Sequence, residues 1–193
     1  METKKFNMID NYIYLYHIDQ FVVIPTFPEN LTDTISVKFN SSTPMSRSAP
    51  IYSYSNSGPR SFQIDLNLHR DMMHEINYGV SNMKVETGDD YVDTMIRHLQ
   101  AAALPSYGKS NKMVDPPMVA VRFGQELFIK GVVNGAVTVS YSLPILSNDK
   151  YASVSIGFTI EEVDPYDANQ VMKDGSFRGL DETLERNIWK RRG

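Results

Sequence analysis

Three places in the sequence bring together side chains able to do chemistry. His69, Arg70 and Asp71 stand in the order used by the kinase catalytic loop. That loop needs an Asn five residues beyond its Asp; position 76 is Ile and Asn77 falls one place late. A Gly-rich phosphate loop and an Asp-Phe-Gly triplet are both missing, so the stretch reads as a strand end running into a polar connection. His74 and Glu75 begin an H-E-x-x-H pattern, but position 78 is Tyr. A metal site from His69, His74 and Glu75 would need a loop to fold them together. The third place is acidic: Glu161, Glu162 and Asp164, then Pro165 and Tyr166. Neighbours in a strand point to opposite faces, whereas an acid–base pair needs converging carboxylates. Asp164-Pro165 therefore reads as a strand exit. A hydrolase built on His69, His74 and the 161–164 acids is the catalytic reading. The reading adopted has no catalytic residue, no cofactor and no metal.

The elements that would position these groups are mostly strands. "SFQIDLNLH" (61 to 69) puts Phe62, Ile64, Leu66 and Leu68 on one face and Gln63, Asp65, Asn67 and His69 on the other. "YIYLYHI" (12 to 18), "FVVIP" (21 to 25) and "TISVKF" (34 to 39) have strand chemistry. "MVAVRF" (118 to 123) and "ELFIKGVV" (126 to 133) follow, with a turn at Gly124 and Gln125. "AVTVSYSLPI" (136 to 145) and "YASVSIGFTIEEV" (151 to 163) form a long hairpin across "LSNDK". "NSSTPMSRSAP" (40 to 50) reads as a mobile loop and "SNSGPR" (55 to 60) as a turn. One helix is expected over about 90 to 104, because Val92, Met95, Ile96, Leu99, Ala102 and Ala103 share a helical face. Asp89 or Asp90 caps it, Pro105 ends it, and His98 falls on its exposed side. A second, short amphipathic helix is expected over 180 to 192, with Leu184 and Ile188 on one stripe.

Composition narrows the classes. The 193 residues suit one domain with arms, and 41% hydrophobic residues can build a core. A net charge of −4 argues against a general nucleic-acid coat, yet suits a surface that nucleic acid slides past. With no cysteine, disulfides, thiolate metal sites and thiol nucleophiles are excluded, which fits a reducing cytoplasm. No apolar run reads as a signal peptide or a membrane span, so no membrane partner is expected.

The long hairpin has an unusual polar face: Thr138, Ser140, Ser142, Ser153, Ser155, Gly157 and Thr159. A face left to water usually carries Lys and Glu. A small, uncharged face suits close packing on a neighbour, or a smooth wall that does not grip a polymer. Long exposed strand edges are hazardous in a monomer but useful in a ring, where each copy continues its neighbour's sheet. An alternative is a β-sandwich binding module for carbohydrate or peptide. It would cluster Tyr12, Tyr14, Tyr16, Tyr52 and Tyr54 as exposed aromatics on one face.

Two runs carry a family resemblance. "IPTFPENLTDTISVKFNSSTPMSRSAPIYSYSNSGPRSFQIDLNLHRDM" resembles the front half of baseplate hub and tail tube initiator proteins of contractile phage tails. "PPMVAVRFGQELFIKGVVNGAVTVSYSLPILSNDKYASVSIGFTIEEVDPY" resembles their second half: a Pro-Pro start, a strand with Phe-Gly, a Gly-Val-Val strand, a long hairpin and a Glu-x-Asp-Pro-Tyr exit. The similarity spans about residues 20 to 179. Wedge-type relatives carry a LysM module near the C-terminus; only 27 residues follow Tyr166, so a tube-ring role is expected over a wedge or sheath-adaptor role.

The resemblance implies a mainly β, tail-tube-like barrel or sandwich with one flanking helix. Residues 1–166 would form that domain and 167–193 a C-terminal arm. It implies a homo-hexameric ring between the baseplate hub and the tail tube, initiating tube polymerisation, with genomic DNA passing through the lumen unbound. Thr138, Ser140, Ser142, Ser153, Ser155 and Thr159 would line the lumen or a subunit contact. Arg47, Arg60, Tyr166, Arg178, Leu184, Ile188 and Trp189 would contact neighbouring rings. The place would be the virion baseplate, assembled in the host cytoplasm.

Overall fold

The alternation of residues 61 to 69 belongs to one of the two longest strands in the sheet. In the computed structural model, residues 11–24, 26–73, 90–107, 114, 116–124, 126–164 and 166–175 are described. The elements are β1 (Asn11–Leu15), β2 (Gln20–Val23), β3 (Leu31–Ser42), β4 (Ile51–His69), α1 (Arg70–Met73), α2 (Tyr91–Ala101), β5 (Met118–Phe123), β6 (Leu127–Ile145), β7 (Tyr151–Glu162) and α3 (Ala168–Asp174). All seven strands join one sheet in the order β2-β1-β5-β6-β7-β4-β3. Every neighbouring pair is antiparallel. The mainly β expectation therefore holds.

Alternation decides which side is buried. Phe62, Ile64, Leu66 and Leu68 of β4 and Ala152, Val154, Ile156, Phe158 and Ile160 of β7 are all buried. All but Ala152 pack with Ile13, Leu15, Val22, Ile24, Val119, Val121 and Ile129 into one cluster, which α2 closes with Val92, Met95, Ile96 and Leu99. Burial of apolar area at ~25 cal/mol per Å² is what fixes the helix on this side. A smaller cluster of Tyr12, Phe21, Val23, Ala120 and Phe128 lies among β1, β2, β5 and β6.

Two expectations are corrected. The segment expected as a mobile loop and a turn, 40 to 60, is mostly a β3–β4 hairpin, and only 43 to 50 lies outside the strands. Gly58 and Pro59 do not turn the chain: Ile35 pairs with Arg60 and Val37 with Ser57, so the two residues bulge against the single Ser36. A proline is tolerated there because β7 pairs with β4 only from Ser61 onward. The second correction joins "ELFIKGVV" and "AVTVSYSLPI" into the single strand β6 of 19 residues. The Gly-rich junction is absorbed as a register break between Asn134 and Thr138, with Gly135 at φ +86°.

The helix expected over 90 to 104 is α2, capped by Asp90 and followed by a turn before Pro105. The expected helix over 180 to 192 lies outside the described residues. The sequence reading missed α3. Its signal was available as a capping box, in which Asp167 Oδ1 accepts from the Gln170 N–H at 2.8 Å and Gln170 Oε1 accepts from the Asp167 N–H at 3.0 Å.

Candidate functional site

Strands β6, β7, β4 and β3 set the candidate site, because their register lines up polar side chains in rows. Ser142 pairs with Ser153, and Ser153 with His69. Ser140 pairs with Ser155 and Ser155 with Asn67; Thr138 with Gly157 and Gly157 with Asp65. Asn134, Thr159, Gln63 and Thr32 make a row across all four strands. Every one of these sits opposite the buried face. Thr138, Ser140 and Ser142 are exposed; Ser153, Ser155 and Thr159 are half-buried. The six residues singled out in the sequence thus share one surface. It continues onto Gln63, Asp65 and Asn67 of β4 and Thr32 and Thr34 of β3, which sequence reasoning did not group with them.

The surface is shallowly hollowed, with a cavity of about 330 Å³ lined by Gln63, Asp65, Ala136, Thr138, Ser140 and Ser155, among others. Asp65 is the carboxylate in the hollow. Gln63 Nε2 donates to its Oδ2 at 3.2 Å. A Cβ on Gly157 would lie 2.8 Å from its Oδ1, so the missing side chain makes room for the carboxylate. Ser155 Oγ and Asn67 Oδ1 are joined at 2.7 Å. These bonds spend the polar groups on one another and leave a smooth floor.

His69 and the acids at 161–164 do not converge. His69 pairs with Ser153, whereas Glu161 pairs with Ser61 at the other end of the same ladder. Eight residues at ~3.4 Å each separate them by roughly 27 Å. Glu161 and Glu162 do split to opposite faces: Glu161 is half-exposed and Glu162 is 8% exposed. His74 and Glu75 lie outside the described residues. Among the described residues, no cluster of three or more metal-ligating side chains occurs.

Arg70 of the His-Arg-Asp triplet has a structural task instead. Its Nε donates to the Tyr151 carbonyl at 2.8 Å, its Nη2 to Asp93 Oδ1 at 2.9 Å, and its Nη1 to Asp90. Lys150, in the β6–β7 turn, also donates to Asp93. Burial alone would raise the Asp93 pKa, but the hydrogen bonds and charges of Arg70 and Lys150 outweigh it and bring it down to about 2. The network ties the end of β4, the start of α2 and the β6–β7 turn into one joint. His98, expected to be solvated, is half-buried, with Nδ1 2.7 Å from the Thr94 carbonyl.

The residues expected to contact neighbouring rings divide. Arg47 is exposed in the β3–β4 turn. Arg60 is fully buried: its Nε donates to both Asp33 carboxylate oxygens at 3.1 Å and its guanidinium stacks 4.3 Å from the Phe62 ring centre. It ties β3 to β4 within the chain, which corrects its assignment to a contact between rings. Tyr166 is half-buried and lines a hollow with Ser57, Gly58, Pro59 and Glu162. Arg178, Leu184, Ile188 and Trp189 lie outside the described residues. The tyrosines proposed as a binding face do not form one. Tyr12 is buried, and Tyr14 and Tyr16 pack edge to face at 4.9 Å. Tyr52 and Tyr54 stand exposed on the β3–β4 hairpin.

Two long strand edges border the polar face. β3 is the last strand of the sheet, so its outer edge is unpaired among the described residues. β5 pairs with β6 only as far as Val132, so β6 from Asn134 to Ile145 has a second edge, on the opposite side, that is unpaired among the described residues. On the helix side of these edges stand exposed apolar residues: Ile35, Val37 and Phe39 on β3, Tyr141 and Leu143 on β6. No helix among the described residues is long and apolar enough to cross a membrane. No family model matches the chain, and the search of curated proteins returns no significant match.

Proposed function

We propose that this chain is a structural subunit of a contractile phage tail baseplate. Six copies would close a ring that joins the central hub to the tail tube and starts tube polymerisation. One observation carries the reading: within the seven-stranded sheet β6, β7, β4 and β3 are consecutive, with a long edge on each side unpaired among the described residues and a mostly small, polar face between them. Four antiparallel strands leave β3 and β6 running in opposite directions. Setting β3 of one copy beside β6 of the next extends the same antiparallel sheet without limit, and rotation closes it.

Three further features agree. α2 and the core fill one side, so that side faces outward in a ring and the polar side faces the lumen. The apolar strips Ile35-Val37-Phe39 and Tyr141-Leu143 lie on the same side of the sheet, so joining the edges buries them together. The edges are also staggered. The β3–β4 hairpin runs past the end of β7, and the free run of β6 lies toward the other end. A closed barrel needs such stagger, because its strands tilt.

In this reading the chain is not an enzyme. The lumen wall carries mostly small neutral groups, with Asp65, His69, Glu161 and Lys38 on the same face, and it lets genomic DNA pass without specific contacts. The hub and tube proteins would meet the two ends of the ring, with the β3–β4 hairpin tip, Arg47 included, reaching the neighbouring layer. The ring would belong to the virion and be assembled in the host cytoplasm. The test is negative-stain electron microscopy and native mass spectrometry of the concentrated chain, and of baseplates carrying a tagged copy. Six-fold rings are expected. A protein that stays monomeric in solution and occurs as single copies on the particle would end the reading.

A further inference from the structure

The ladders of this sheet are of two kinds. β1–β2, β1–β5, β5–β6 and β4–β7 run without a register break. The β3–β4 ladder breaks twice, between Ile35 and Val37 and between Lys38 and Phe39. The β6–β7 ladder also breaks twice, between Asn134 and Thr138 and between Ser142 and Ile145. The breaks therefore fall only in the ladders of the two strands that carry the long open edges.

Three features at these breaks bear on pairing with a further strand. At Ser36 the opposing Gly58 and Pro59 bulge, which twists the hairpin away from a flat template. Lys38 stands between the two β3 breaks, where a covering strand would have to desolvate or bend its ammonium group. The second β6 break holds Pro144, which offers no N–H to a partner. On β6 the extra residues lie on the edge strand itself, which leaves a short regular free run, Thr138 to Ser142; on β3 the extra residues lie on the paired strand β4, so that edge is bent rather than cut. Each backbone bond contributes little net free energy, while association carries a fixed entropic cost.

We propose that these interruptions guard the edges: at low concentration the free chain stays monomeric, and there seams form only where a template surface holds copies side by side. Held that way, each copy pairs on both edges at high effective concentration, and short ladders suffice. The proposal rests on the ring reading and adds a condition to it. The guard delays pairing in solution and does not prevent it at high concentration.

The experiment compares the wild-type chain with Lys38→Val and with Lys38→Val/Pro144→Thr by sedimentation across one concentration series, followed by electron microscopy. Circular dichroism melting checks each fold; Lys38→Val changes an exposed side chain alone, so it serves if the double variant misfolds. Wild type is expected to remain monomeric at concentrations where the variants associate, with the onset shifted by about tenfold or more per guard removed. Rings from wild type at the same onset as the variants would overturn the guard and leave the ring reading intact. No association by folded variants at any concentration would also overturn the guard. Variants that associate into open filaments would support the guard and overturn the closed ring.

Discussion

Gly131 has no room for a methyl group. A Cβ there would lie 1.9 Å from the backbone carbonyl oxygen of Glu161, and a backbone atom of a paired strand cannot step aside. Gly131→Ala is expected to open the β6–β7 ladder at that point and cost about 3 kcal/mol or more in urea unfolding. Gly157→Ala meets only the movable Asp65 carboxylate at 2.8 Å, so it is expected to leave the midpoint nearly unchanged. Arg60 offers a second contrast. Its side chain is wholly buried while Asp33 is 40% exposed, so the pair depends on Asp33 to neutralise a charge that water cannot reach. Asp33→Asn is expected to cost about 2–3 kcal/mol, because it strands that charge. The double variant Asp33→Leu/Arg60→Met removes the charge as well and is expected to recover most of the loss in the same denaturant titration.

At the scale of elements, α2 is held by its first turn. Asp90 Oδ1 accepts from the Asp93 N–H at 2.9 Å, closing a capping box, and Asp90 and Asp93 both bond Arg70. Asp90→Ala is expected to lower stability by about 1–2 kcal/mol, and Asp90→Asn by less, since the amide still caps. The network also predicts an acid response. Asp93 has a folded pKa of about 2 against an ordinary 3.8, so it binds a proton more readily when unfolded. Its stabilising contribution is whole above the ordinary value and is lost as pH falls from there toward 2. Thermal melts across that window are expected to fall less steeply in Asp93→Asn than in wild type. The cap itself was legible in the sequence, as were the 61–69 half of β4, β5, β7 and the burial of alternate residues, because periodicity fixes sides. The Arg70 joint was not legible, since Tyr151 and Lys150 come to it from some 80 positions away. Nor was the β3–β4 hairpin: Gly58 and Pro59 signal a turn locally, and only the pairing partner turns them into a bulge. The polar face was half legible. The alternation gave Thr138 to Thr159, while Gln63, Asp65 and Thr32 joined it only through register.

At the scale of the whole molecule, the proposed seams and lumen separate by mutation. Val37→Lys and Tyr141→Lys touch half-exposed positions, 52% and 51%, so each is expected to shift monomer stability by less than ~0.5 kcal/mol. Together they are expected to abolish rings on electron micrographs, because the two lysines would face the strips that the seams bury. Ser140→Lys/Ser155→Lys tests the lumen instead: rings are expected to persist and to retain duplex DNA in low salt, with retention falling steeply as salt rises, while wild-type rings retain none. The four-strand unit has one more consequence. With an even number of strands in each copy, every seam has the same sense whether five, six or seven copies meet. In the proposed ring, hydrogen bonding would therefore not count subunits; the bend of each sheet would. A substitution that flattens β6 at Gly135, where φ is +86°, would add a copy to the ring without removing a single seam bond, and the width of the channel would follow.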